Sequence, residues 1–237
     1  NADDAGINFT GESKLKIKLL KNELYIANTG IPFSPEGIKS LMVSDISPKE
    51  ALGEKYIGYK GLGFRSILGW ASSVAIISGN AKVGFSRAGA NKWLSHLMGS
   101  HESIATRVKL YTDKTQKKMP VSVLDAPVCL NGNVDDKEFI NLVKHGDAFI
   151  ADDYNTSICI SFHSEEIYDQ IEKQINSISS ETLLFLQNIS ELKIEIPDFE
   201  NSWNVERDEN VVEITTGDKE SYIWNLYSKY GEIPDKL

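Results

Sequence analysis

The sequence predicts an α/β chain built on a mixed sheet rather than a purely parallel one, and three observations carry that expectation. Residues 14–20 alternate apolar and basic side chains, Lys21-Asn22 turns the chain, and 23–27 returns it, which reads as a β-hairpin. Residues 156–163 form a strand pattern with Ile158, Ile160 and Phe162 on one face, followed by an amphipathic helix over 165–178. Residues 192–196 alternate again as a strand. Strands that alternate with helices but also pair as hairpins imply a mixed sheet.

The remaining elements follow in chain order. Residues 1–6 read as the end of a helix stopped by Gly6. Ser34-Pro35-Glu36 is a helix start, with Ser34 as N-cap, Pro35 in the first helical position and Ile38, Leu41 and Met42 on one face. Residues 43–56 are polar and broken by Ser47-Pro48, hence a loop. A helix is expected over 64–71, beginning at the glycines before it, and a strand over 73–78. Residues 79–154 are less legible: a strand around 82–87, a short helix around 91–98 and long connections. A second helix is expected over 180–188, capped by Ser180, and short strands near 203–207, 211–215 and 222–227. The division expected is one domain over 1–200 and a connector of strands over 201–237 leading to further domains.

Composition narrows the function classes. A chain of 237 residues can bury a substantial core, and 41% hydrophobic with 25% charged residues is an ordinary globular balance. A net charge of −9 argues against a nucleic-acid backbone as the main partner. The alternating Lys14, Lys16 and Lys18 are expected on the wet face of a strand, and 114–118 in a loop. Cys129 and Cys159 lack metal-ligand spacing, which suggests buried thiols in a reducing, cytoplasmic compartment. The sequence has no run of eighteen apolar residues, so no membrane span is expected. It opens on Asn1, inside a motif, and reads as a piece of a longer protein.

Three short motifs carry the chemistry. Asn1 and Asp4 stand one helical turn apart on one face, and an Asn there can offer its carbonyl oxygen to Mg²⁺. Asp3 and Asp4 make a poor acid/base pair, because adjacent helical residues point apart. Asn28-Thr29-Gly30 ends a strand; the Asn28 amide can accept from an adenine amino group while Gly30 lets the base lie against backbone. Gly58-x-x-Gly61-x-Gly63 leads into a helix and would aim backbone N–H groups at phosphates, with Lys60 and Arg65 either phosphate partners or surface charge. It is neither a P-loop nor the dinucleotide fingerprint, since Ser66 stands where the third glycine would be.

Taken in order, Asn1-x-x-Asp4-Ala5, the strand ending in Asn28-x-Gly30, and Gly58-Tyr59-Lys60-Gly61-Leu62-Gly63-Phe64-Arg65-Ser66 resemble the GHKL (Bergerat-fold) ATPase superfamily. The likeness is closer to its sacsin and NO VEIN branch, whose later Leu-Leu-Phe-Leu segment is matched by Leu183-Leu184-Phe185-Leu186. The resemblance implies a two-layer α/β sandwich, with a largely antiparallel mixed sheet covered by helices, that binds ATP with Mg²⁺. It implies Asn1 as the Mg²⁺ ligand, Asp4 and Ala5 as support, and Asn28 with Gly30 and Ile31 around adenine. Gly58, Tyr59, Lys60, Gly61, Leu62, Gly63 and Phe64 would wrap the phosphates, and 43–56 would be a lid carrying Ser47 and Lys49.

The chain departs from most of the superfamily at two places. Asn28 replaces an Asp, which removes charge assistance from the adenine bond, and Pro32 replaces a glycine and stiffens the turn. The general-base Glu of these ATPases stands one turn before the Asn, upstream of residue 1, and is worth about 10²–10⁴ in rate. The expected function is Mg-ATP binding with slow hydrolysis, driving lid closure and a conformational or dimerisation switch toward downstream domains, a transient homodimer or a protein partner. The alternative is a pseudo-ATPase scaffold. The parent could be chaperone-like or nuclease-coupled. His96, His101, His145 and His163 are set aside as surface or packing residues, and Trp70, Trp93, Trp203 and Trp224 as core or interface.

Overall fold

The computed structural model describes residues 2–42, 62–115, 120–132 and 136–227. Its centre is the expected hairpin: β1 (Lys14–Leu20) and β2 (Glu23–Asn28) pair antiparallel, with Ile17 opposite Ile26. Beyond β2 lie β6 (Thr156–Ser161), β3 (Ser73–Ser78), β4 (Ala81–Ser86) and the two-residue β5 (Val128–Cys129). On the other side of β1 come β7 (Glu191–Ile196), β8 (Phe199–Asp208), β9 (Val211–Thr216) and β10 (Ser221–Asn225). The β1–β7 pairing is parallel, and the other described pairings are antiparallel. The mixed, mostly antiparallel sheet flanked by helices is thus the fold class the sequence predicts.

Strand alternation divides the core into two layers of side chains. On one face Leu24, Ile160, Val74 and Ile76 pack with Phe64 of α3 (Leu62–Ile67), Ile175 of α7 (Glu165–Asn176) and Leu183 of α8 (Ser180–Leu183). On the opposite face Tyr25, Ala27, Ala75, Ile77 and Cys159 lie under Phe139, Leu142 and Phe149 of α6 (Lys137–Ala151). Helix α6 therefore adds a layer to the sandwich, and it lies within the stretch expected to hold long connections. Its apolar residues 139, 142, 143, 146, 149 and 150 keep helical spacing across β2, β3 and β6.

Several helix boundaries follow from side-chain caps. The short helices α1 (Ala2–Ala5) and α2 (Pro35–Met42) flank the hairpin, and Ser34 Oγ accepts from Gly37 N at 3.0 Å as its N-cap pattern requires. Ser86 caps α4 (Arg87–Ser100) by accepting from Gly89 N, and Ser164 caps α7 by accepting from Ile167 N. The short helix expected around 91–98 is this longer α4, and it pairs with a helix the sequence reading left out, α5 (Glu102–Thr115). Lys114 belongs to α5 rather than a loop.

Two expected elements are corrected. Helix α3 ends at Ile67 and continues as turns through Trp70 and Ala71, whose N–H groups reach back to Ile67 O. Helix α8 stops at Leu183 instead of running to 188, because side chains satisfy the following backbone. Arg207 donates to the carbonyls of Leu183, Leu186 and Ile189, and Asp3 accepts from the N–H groups of Asn188 and Ile189. The strands after residue 200 continue the same sheet: β8 pairs with β7 from Phe199 to Asn204, and Trp203, Val205, Val212 and Ile214 are buried in the main core.

The lysines of β1 sit on the face opposite its core side chains and meet acids on the neighbouring strand. Lys16 and Lys18 reach Glu195 at 2.6 and 3.2 Å, and Lys14 reaches Glu191 at 3.3 Å. Among the described residues no helix is long and apolar enough to cross a membrane.

Candidate functional site

At the C-terminal end of β2 the first two motifs meet. Ile31 N donates to Ala5 O at 2.8 Å, which joins the end of α1 to the turn after β2. Gly30 permits this approach: its φ is +109°, and a Cβ built there would stand 2.6 Å from Ala5 O. Asp4 and Asn28 are both buried, while Ile31 is 51% exposed at the rim. The sequence thus brings Asp4, Ala5, Asn28, Gly30 and Ile31 to one end of the sheet.

Asn28 stands in register with Thr156 on β6, which in turn stands opposite Ser78 on β3. Directly opposed residues share a face, so these three form a buried polar row in line with the apolar rows of Leu24, Ile160 and Val74. Thr156 and Ser78 hydroxyls hydrogen-bond at 2.6 Å, and Ser78 Oγ accepts from Phe33 N at 2.9 Å. The Asn28 Nδ2 group donates to Thr29 O at 2.6 Å; among the described residues no group donates to Asn28 Oδ1. An Asp at this position would forgo that donor, so the amide suits the local backbone.

Asn155 is the residue that sequence reasoning missed. Its Oδ1 accepts from Gly30 N at 3.2 Å, its N–H donates to Asn28 O at 3.0 Å, and its carbonyl accepts from Gly79 N at 3.1 Å. It ties the ends of β2, β3 and β6 together. The only signal in the chain was a polar residue just before a strand, which is common to loops.

The third motif is described only at its end. Gly63 lies in α3 with open space where a Cβ would stand, and the Phe64 side chain is buried against Phe85 with ring centroids 5.6 Å apart. Phe64 thus anchors the segment in the core rather than facing a ligand. Arg65 follows, with its Nη2 atom buried and without a hydrogen-bond partner among the described residues. A buried guanidinium nitrogen left without an acceptor is costly. Asn1, Ser47, Lys49, Gly58, Tyr59, Lys60, Gly61 and the 43–56 lid lie outside the described residues, and Leu62 is described only as the first residue of α3.

Asp3 does not take part in acid/base chemistry of a pair with Asp4. Its Oδ1 accepts from Asn188 N at 2.7 Å and Ile189 N at 3.3 Å, and its Oδ2 from Asn188 Nδ2 at 3.2 Å. Elsewhere, His145 is a packing residue, as expected: it meets Tyr25 edge-on at 5.3 Å, and its Nδ1 lies 2.7 Å from the Tyr25 hydroxyl, which also donates to Glu23. Burial and the Glu23 carboxylate push the Tyr25 pKa up, and burial pushes the Cys159 thiol up to about 12, so both stay protonated under α6. Among the described residues no group of three His, Cys, Asp or Glu side chains is placed to hold a metal ion.

No protein-family model matches the chain, and no curated protein matches it significantly. The family likeness therefore rests on the sequence motifs alone.

Proposed function

We propose that this chain is a Mg-ATP-binding domain whose site lies at the C-terminal end of β2, between α1 and the glycine segment that leads into α3. The observation that carries this reading is the Arg65 guanidinium, in the helix that follows the glycine motif, which has a buried nitrogen without an acceptor among the described residues. An anion is the group that such a donor fits, and phosphate accepts from guanidinium in a charge-assisted geometry. The joining of Ala5 to Ile31 and the Asn28 Oδ1 atom support an adenine end of the same site.

In this reading Asn28 Oδ1 accepts from the adenine amino group, while the space beside Gly30 is taken by Ala5, which closes α1 onto this end of the site. The glycine motif of Gly58, Gly61 and Gly63 is assigned to the phosphates from its sequence, and Arg65 neutralises part of their charge. Asn1 would hold Mg²⁺, which when bound offsets phosphate charge and takes hard oxygen ligands. Binding drives a conformational or dimerisation switch, with slow hydrolysis resetting it. A scaffold that binds without turnover is the second reading, favoured by the Asn28 amide, whose Nδ2 is committed to its own backbone.

Calorimetric titration of Mg-ATP into the chain and into Gly63→Ala tests the proposal, followed by an ATPase assay. The expected result is saturable binding to the parent and loss of binding in the variant, since the added methyl fills the open space. The variant stays folded, because Ala is favoured over Gly in a helix by up to about 1 kcal/mol. Absence of binding in a folded parent, or unchanged binding in Gly63→Ala, overturns the assignment. Binding without turnover selects the scaffold.

A further inference from the structure

The far edge of the sheet is built differently from the rest of the surface. Strand β10 (Ser221–Asn225) pairs with β9 on one side, and among the described residues no strand pairs with its other side. Exposed edges are ordinarily protected by lysine, proline or a bulge. Here the strand reads Ser-Tyr-Ile-Trp-Asn, with neither charge nor proline, in a chain of net charge −9. Ile223 is 66% exposed, and Tyr222, Leu226 and Tyr227 are exposed beside it.

The order of residues says what fits this edge. About Ile223 the strand is symmetric in chemical class: polar, aromatic, aliphatic, aromatic, polar. Two copies placed antiparallel about a twofold axis at Ile223 set Tyr222 opposite Trp224, Ile223 opposite Ile223, and Ser221 opposite Asn225. Directly opposed residues share a face, so every pair is matched in kind and no like charges meet.

We infer that β10 is a self-association edge, where a second copy of this chain adds its own β10 antiparallel and in register at Ile223. The two sheets join into one continuous sheet across the twofold axis. Backbone hydrogen bonds supply the attraction, and the aromatic pairs set the register. The edge is remote in the sheet order from the end of β2, so the association does not depend on nucleotide.

Sedimentation velocity over a wide range of protein concentration, with and without Mg-ATP, reads the association, and cysteine cross-linking reads the register. In a Cys129→Ser background, Ile223→Cys is expected to form a disulfide-linked dimer under mild oxidation. Opposed strand residues have Cα separations within disulfide range. Ser221→Cys is expected not to link, since its own copy lies four residues away, about 13 Å along the strand. Ile223→Lys places like charges face to face and is expected to weaken association at least ~10-fold while leaving the thermal midpoint unchanged at concentrations low enough that the parent is monomeric. A chain that stays monomeric throughout, a dimer untouched by Ile223→Lys, or Ser221→Cys linking as fast as Ile223→Cys would each overturn the inference.

Discussion

Asp3 and Arg207 hold the same stretch of chain from opposite ends of the sequence. The Asp3 carboxylate binds the N–H groups of Asn188 and Ile189, while the Arg207 guanidinium binds the carbonyls of Leu183, Leu186 and Ile189. Burial lowers the Arg207 pKa and the Asp3 carboxylate opposes that shift, so each charge is made tolerable by the other. Through Asp3, this irregular stretch after α8 supports α1, which borders the proposed nucleotide site.

Removing either partner should cost stability, and the costs should not add. Asp3→Ala leaves two backbone N–H groups without their acceptor, and Arg207→Met removes the guanidinium donor from the Leu183, Leu186 and Ile189 carbonyls, of which Leu183 O keeps the Leu186 N–H. Each is expected to lower unfolding free energy by about 2–4 kcal/mol. Urea denaturation of both single variants and the double variant should give a coupling of at least ~0.5 kcal/mol. Strict additivity would mean that the two charges act separately.

Gly30→Ala should be among the most damaging small substitutions in the hairpin. The residue sits at φ +109°, and the new methyl would meet the Ala5 carbonyl oxygen at 2.6 Å. Backbone strain of this kind costs on the order of 1–3 kcal/mol before the contact is counted. A denaturation midpoint within error of the parent would show that α1 does not approach β2 as described.

Arg65→Met separates a binding role from a structural one. Removal of a buried donor that lacks an acceptor is expected to leave the thermal midpoint unchanged or raised. Mg-ATP affinity is expected to fall by about 10- to 100-fold, the worth of one charge-assisted hydrogen bond. A marked loss of stability with affinity retained would make Arg65 a structural residue.

The β1–β7 ion pairs predict an acid-sensitive component of stability. Burial alone would raise the Glu195 pKa, but the Lys16 and Lys18 ammonium groups outweigh it and hold the carboxyl at about 2. A carboxyl with a depressed folded-state value contributes stability that is fully present above the ordinary value near 4.5. That contribution is lost as pH falls toward about 2. After allowance for solvent screening, Glu195→Gln should cost about 1–2 kcal/mol at neutral pH. Below pH ~4.5 the difference from the parent should shrink. A difference independent of pH would locate the effect in packing.

Much of the fold was legible because apolar spacing dictates it. The period-two runs of β1, β2, β6 and β7 each turn one apolar face to the main core, and β2 and β6 bury their other face under α6 as well. What escaped the sequence depends on contacts between distant residues. Nothing local in 180–188 signals that Arg207 and Asp3 will take its backbone groups and end α8 early. Helix α6 was readable in principle from the spacing of Phe139, Leu142, Gly146 and Phe149, but Gly146 interrupts the apolar stripe and hides it. Of the candidate site, Asn28 and Gly30 announce themselves as a strand end, whereas Asn155 becomes visible only when three strand ends are brought together.

Hydrogen exchange of the whole chain with and without Mg-ATP tests the central claim most directly, because it reads binding and location together. Protection is predicted at the amides of 3–7, 28–33 and 58–66, with little change in β8, β9 and β10. Exchange that is unaltered by saturating nucleotide, or protection confined to regions away from these three segments, would contradict the account.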